Sequence, residues 1–396
     1  MLSSLKSHEE GEEEHHRRHH HNHRHHQHHL LLRCAELIDR LDLPAARRAI
    51  SLLSASSSPF GDSADRIANQ FTHALSLRLD RLSLAPSLSP TDSDSGAQSA
   101  YLSLNKITPF LRFPHLTANQ AILDAIDGRR LIHILDFDTS HGLQWPPFLQ
   151  AVAERSDPNN PPSIRITGTG SDLSVLRRTA LRLHSFAASL RLPFQFHPLL
   201  VPSSPAAAGG GGAPAAFQLR AGETLAVNCV HFLHKLLKDD EDGLRDARAF
   251  LRSVRALNPA VVTLAEREAS HGSPSFLERL PEAVEHYTAL FESLEATLPP
   301  TSRERMEVER VWFGREIAGV VAGEERHERF VRWEEMMRAA GFEAAPLSAF
   351  AVSQARLLLR LHYPAEGYRV QVLRGGSCFL GWQSNPLFSV SSWHCN

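Results

Sequence analysis

His133, Asp136, Asp138 and His141 fall in one short stretch, LIHILDFDTSHGLQWPPFL (131–149). Imidazole and carboxylate together are donors that divalent metals accept. The stretch also offers a second chemistry, because its apolar run LIHILDF breaks into an acid-rich turn and then enters Trp145-Pro146-Pro147. A strand, a turn and a helix start in that order form the cofactor-binding turn of a doubly wound sheet. The residues argue against both chemistries. Alternation turns His133 into the strand interior, the other three crowd one turn, and no distant fourth ligand is indicated, so no metal site is assigned. A cofactor turn keeps room for its ligand with glycines. Here Gly142 is the turn's only glycine, and Phe137 and Thr139 carry side chains where that room is needed. The next strand, IRITGTG (164–170), lacks the terminal acid that binds ribose hydroxyls, with Asp172 displaced beyond it. Asp136 and Asp138 are therefore expected to be structural, capping the next helix or accepting backbone N–H bonds. No G-x-S-x-G elbow is present and no cysteine has an identifiable histidine partner, so no catalytic residue and no cofactor are assigned.

The elements around this turn define a fold. FQFHPLL (194–200), the apolar start of ETLAVNCVHFLHKLL (223–237) and AVVTLAER (260–267) read as further strands, with helices over 146–155 and from Leu173 through Ala187. Strands alternating with helices predict a parallel sheet covered on both faces. YRVQVLR (368–374) and SCFLGWQ (377–383), separated by Gly375-Gly376, read as a terminal hairpin, with Trp382 and Trp393 as buried anchors. The fold class is α/β, a doubly wound Rossmann-like (methyltransferase-like) sheet with an α-helical cap.

The cap is expected from 30–127, a leucine-rich helical segment. Leu30, Cys34, Leu37 and Leu41 mark one helix face; Ile67, Phe71, Leu75 and Leu79 mark another, capped by Asp62 or Ser63. Residues 274–298 and 309–323 would add further cap helices, and 327–342 another helix ending at Gly341. Three segments read as irregular: the His-rich tail 1–29, a Ser/Pro/Asp-rich loop at 83–100, and a Gly/Ala/Pro insertion at 203–216. The α/β core would then occupy 128–396.

Composition narrows the partners. A formal charge of -2 argues against coating nucleic acid by bulk electrostatics, so any DNA contact must be local. The basic pairs Arg129-Arg130 and Arg177-Arg178 are the candidates for such a contact. Leu233-His234-Lys235-Leu236-Leu237 matches an L-x-x-L-L docking helix, but it follows a buried strand and is expected to pack in the core. The four cysteines show no CxxC spacing, which predicts neither a disulfide framework nor a zinc module. No apolar run approaches a membrane span, and an intracellular, soluble chain without a membrane partner is expected.

Several of these residues carry a resemblance. Ile132-His133-Ile134-Leu135-Asp136, extended by Asp138, Gly142, Gln144 and Trp145, resembles the VHIID motif of plant GRAS-family transcriptional regulators. Leucine-rich segments flank it. Tyr287 with Arg315-Glu316 is similar to the PFYRE motif, and Trp382 with Val390-Ser391-Ser392-Trp393 to the closing SAW motif. The His-rich start, CAELI and SSPFGDSADRIANQF resemble the Lateral suppressor/Monoculm subgroup. The resemblance implies a non-enzymatic nuclear protein acting through promoter DNA or partner transcription factors, associating with other GRAS proteins as a homodimer or heterodimer. In that subgroup the process would be axillary meristem initiation and shoot branching. The rival expectation from the same sheet is an S-adenosylmethionine-dependent methyltransferase with a degenerate cofactor pocket.

Overall fold

The computed structural model describes residues 26–83, 94–201, 217–238, 243–363, 366–373 and 375–395. The chain divides into two compact units, Met1–Ser103 with Ser273–Glu324, and Leu104–Gly272 with Glu325–Asn396.

The first unit is helical among its described residues. Residues 26–39 form a helix that buries Leu31, Cys34, Ala35 and Ile38. Leu41, which the sequence placed on that face, is exposed at positive φ just beyond the helix end. Asp42 accepts from Ala45 N–H and caps Leu43–Ser56, and Asp62 accepts from Asp65 N–H and caps Ser63–Leu82. That last helix buries Ile67, Phe71, Leu75 and Leu79, as its period predicts. Phe276–Thr297 and Gly314–Ala322 pack beside it, with Tyr287 lying between the rings of Phe71 and Phe313. The expected single helix over 309–323 is instead a π-helical turn, Val308–Phe313, followed by an α-helix, Gly314–Ala322. Buried Arg66 donates to Glu309 at 2.9 Å and to the Gly61 carbonyl at 2.6 Å, which keeps two long polar side chains paired in the interior. Asp94–Ile107 is helical where the 83–100 loop was expected to continue. Its apolar positions Ala100, Tyr101 and Leu104 are buried, a face that the serines around them disguised. The expectations for 1–25, 84–93 and 203–216 lie outside the described residues, and 26–29, expected to be irregular, are helical.

Among its described residues the second unit is built on nine strands: β1 (Leu131–Asp136), β2 (Ser163–Gly170), β3 (Phe194–Leu200), β4 (Thr224–Val230), β5 (Val261–Arg267), β6 (Phe342–Ala345), β7 (Tyr368–Val372), β8 (Cys378–Trp382) and β9 (Asn385–Cys395). Their order is β3-β2-β1-β4-β5-β9-β8-β7, with β6 also paired to β9. The first five strands are parallel, and β9 runs antiparallel to β5. Alternation along β1 sends Ile132 and Ile134 to one core with Trp145, Phe148 and Ile166. Leu135 and Phe137 go to the other, with Phe250, Trp333 and Trp393. Both faces are covered, which is why these strands read as nearly continuous apolar runs.

Three expectations are corrected here. Pro109–Ala125 belongs with the sheet unit, because it buries Ile122 in the β1 core; the boundary falls at Leu104 and not at 128. The terminal hairpin is the outer part of a three-stranded antiparallel meander whose inner member, β9, lies beside β5. Ser389, Ser391 and Ser392 hid that strand, yet all three are buried, and Ser392 Oγ donates to the Ala345 carbonyl at 2.6 Å. The helix expected at 327–342 is Phe330–Ala339, started where Glu268 accepts the Phe330 N–H.

Trp393, fully buried, pairs with Val262 on β5 and Ala344 on β6, and its indole N–H donates to Ser391 Oγ at 2.9 Å. Trp393→Ala should lower stability by about 3–5 kcal/mol in equilibrium urea denaturation. A loss below about 1 kcal/mol would show that β9 is not a core strand.

Candidate functional site

In a doubly wound sheet the ligand crevice opens at the carboxyl ends of the strands, where the strand order reverses. Here that point lies between β1 and β4. Asp136, the last residue of β1, stands in register with Asn228 on one side and Gly168 on the other. Its Oδ2 accepts the Trp145 indole N–H at 2.7 Å, and its Oδ1 accepts Asn228 Nδ2 at 2.8 Å. Asn228 and Gln144 exchange amide hydrogen bonds at 3.0 Å, and Thr263 Oγ1 donates to Asn228 Oδ1 at 2.9 Å. Asn119 donates to the Gln144 carbonyl at 2.8 Å and accepts from its Nε2 at 3.1 Å. The crevice position is thus occupied by a buried polar network in which side chains satisfy one another.

The glycines tell the same story. A Cβ on Gly168 would come within 2.4 Å of Thr139 Oγ1 and of the Phe196 ring, and one on Gly142 within 2.5 Å of Thr179 Cγ2. The space that glycine leaves is filled by this chain's own side chains. Phe137 is buried, with its ring centroid 4.7 Å from that of Phe250 and 5.1 Å from that of Phe232. Asp172 Oδ1 accepts the Ser174 N–H at 2.6 Å and caps the Leu173–Ser189 helix, so it is not free for a ribose.

Neither acid of the turn takes the role expected from the sequence. Asp136 accepts side-chain donors, and Asp138 pairs with Lys235 Nζ at 2.6 Å, while the Trp145–Arg155 helix has no side-chain cap. Asp138 itself sits at φ 70°, in the left-handed region. His133 is buried: Arg165 Nη2 donates to its Nδ1 at 3.0 Å, and its Nε2 lies 2.9 Å from Thr167 Oγ1. Burial and the neighbouring Arg165 charge bring its pKa down to about 4, so the ring is neutral. Arg165 in turn pairs with Glu223.

The other motif residues lie elsewhere. Trp382, Ser391 and Trp393 belong to β8 and β9 of the sheet unit, where Trp382 stacks edge-on to Tyr368. Tyr287, Arg315 and Glu316 belong to the helical unit. There Arg315 and Arg310 help line a cavity of about 1000 Å³, which the π-helical turn borders. Arg129 and Arg130 are exposed before the start of β1, whereas Arg177 and Arg178 are exposed on the helix after the end of β2. Because β1 and β2 are parallel, the two basic pairs fall at opposite edges of the sheet and do not form one patch. Leu233, Leu236 and Leu237 are buried around a 3-10 turn, Leu233–Leu236, as core residues. Sequence reading missed Asn119, Asn228 and Thr263. Asn228 alone left a signal, a solitary amide inside the apolar run LAVNCV.

Five parallel strands in the order 3-2-1-4-5, followed by an antiparallel strand, define a methyltransferase-like Rossmann sheet. Among solved structures, that of SCL7 from Oryza sativa matches with a TM-score of 0.77 at 34% identity, covering 93% of this chain and 99% of that one. The GRAS domain family model matches residues 27–394, and the chain belongs to that family. Protein MONOCULM 1 of Oryza sativa subsp. japonica is 52% identical, over 92% of this chain and 87% of its own length. Scarecrow-like protein 18 of Arabidopsis thaliana is 49% identical, over 92% and 90% respectively.

Burial pushes the Asp136 carboxyl up to about 6, against the lowering pull of its Asn228, Trp145 and Thr139 hydrogen bonds. The folded chain therefore holds this proton more tightly than the unfolded chain. Its contribution to stability is full below about pH 4 and is lost as pH rises through about 6, a change of roughly 3 kcal/mol. Urea midpoints of the wild type and Asp136→Asn, measured across that window, should differ by this slope. Parallel pH profiles would show that Asp136 is ionised in the fold at no cost.

Proposed function

We propose that this chain is a non-enzymatic nuclear regulator of transcription that acts through promoter DNA or partner transcription factors and promotes axillary meristem initiation and shoot branching. The observation that carries the non-enzymatic part is the closed crevice: Asp136, Asn228, Gln144 and Trp145 bond to one another where a methyltransferase holds its cofactor. A sheet whose ligand position is filled by its own side chains serves as a scaffold, and fold alone does not confer chemistry. The developmental part rests on membership of the GRAS family and on likeness to the Monoculm relative. Partners on this reading are other GRAS proteins, in homodimers or heterodimers, and transcription factors. No described helix is long and apolar enough to cross a membrane.

Titration calorimetry with S-adenosylmethionine tests the scaffold reading. No heat and no change in melting temperature are expected; micromolar binding that raises the Tm would make the chain a methyltransferase-type binder.

Direct DNA contact is read from the salt dependence of binding to duplex DNA. Because the two basic pairs lie at opposite edges, replacing Arg177 and Arg178 by alanine, or Arg129 and Arg130, should lower the slope of log affinity against log salt for one pair only, by about 1–2. A wild-type slope near zero would assign the chain to co-regulation without DNA contacts.

A further inference from the structure

One strand over from the closed crevice, the same sheet edge carries a second polar cluster built from other side chains. His234 lies in the 3-10 turn after β4, while Glu325 and His327 lie just before the Phe330–Ala339 helix. One donor atom from each of the three lies within 4.8 Å of the others. The chain holds them from behind. Glu266, at the end of β5, accepts the backbone N–H groups of Phe232 and Leu233 at 2.9 and 2.6 Å and so fixes the turn. Its other oxygen lies 2.9 Å from His234 Nδ1. That contact leaves Nε2 as the His234 nitrogen with a lone pair to give. His327 is held likewise, with its Nδ1 3.2 Å from His271 Nδ1, its carbonyl accepting the His271 N–H at 2.9 Å, and its Nε2 3.5 Å from Glu325 Oε1.

We propose that His234, Glu325 and His327 form a Zn²⁺ site that fastens the 325–330 segment to the carboxyl edge of β4 and β5. Two imidazoles and one carboxylate form a zinc donor set that leaves a fourth position for water. The Glu266 contact is the outer-shell arrangement that metal-ligating histidines use to fix tautomer and orientation. Zinc bonds of about 2.0–2.2 Å place tetrahedral donors roughly 3.4 Å apart, so binding draws the three donors together and turns the His234 and His327 rings, stacked with centroids 4.9 Å apart, until both aim at the ion. Lys235, Arg267 and Arg326 face Glu325, and Lys235 is already paired with Asp138.

The test uses the whole chain, stripped with a chelator and then titrated with Zn²⁺. The wild type should gain roughly 3–5 °C in Tm at free Zn²⁺ a hundredfold above its dissociation constant. His234→Gln and Glu325→Gln should each abolish that gain. The histidine-rich N-terminal tract is present in every variant, so a difference between variants reports on the triad. Absence of any rise in the wild type, or an equal rise in both variants, overturns the proposal. Should a variant prove too unstable, Co²⁺ added to the wild type decides: the intense visible absorption of a four-coordinate ion supports the site, and only a weak six-coordinate spectrum overturns it.

Discussion

The carboxylate of Asp136, held between the Trp145 indole and the Asn228 amide, is the constraint on which the sheet unit depends. It is buried at the end of a central strand, where an ionised group without partners would cost several kcal/mol. Each partner belongs to a different element. Trp145 opens the helix after β1, Asn228 belongs to β4, and the network reaches Asn119 on the helix before β1 through Gln144 and Thr263 on β5 through Asn228. Satisfying one carboxylate therefore fixes the relative positions of three strands and two helices.

Around this network, residues that would mark an enzyme have packing roles. Gly168 is small because Thr139 and Phe196 press against it, and Gly142 because Thr179 does. The left-handed conformation of Asp138 directs the chain into the turn, where its side chain meets Lys235. Steric room has been given over to side chains, and the architecture that in an enzyme surrounds a ligand here surrounds its own amides. The shape of a sheet does not by itself assign its chemistry.

Local signals in the sequence were enough for the parallel half of the fold. The apolar run of β1 and the period of Ile67, Phe71, Leu75 and Leu79 depend on burial that each segment declares by itself. Where burial is decided by distant partners, the pattern misleads. β9 carries three buried serines because β5, β6 and β8 pack around it, and nothing within its own residues announces them. The first helix buries Leu31, Ala35 and Ile38 beside Cys34, because a few leucines at helical spacing allow more than one phase, and Leu41 is exposed because the helix ends before it. The crevice was half legible: missing glycines could be counted along the chain. The amides that close it come from positions 119, 144 and 228, and only the fold brings them together.

The two polar clusters at the carboxyl edge differ in what they can still bind. The Asp136 cluster joins one titrating carboxyl to amides, an indole and a hydroxyl that bond to one another. The His234, Glu325 and His327 cluster consists of groups whose charge and coordination respond to protons and metals, and Glu266 and His271 orient them. One strand away, the same carboxyl edge carries the proposed ligating cluster. There a bound ion would act on the 325–330 segment, whose Phe330 N–H is already held by Glu268. The first cluster is knit together by bonds among its own side chains, whereas the second brings two imidazoles and a carboxylate within 4.8 Å of one another.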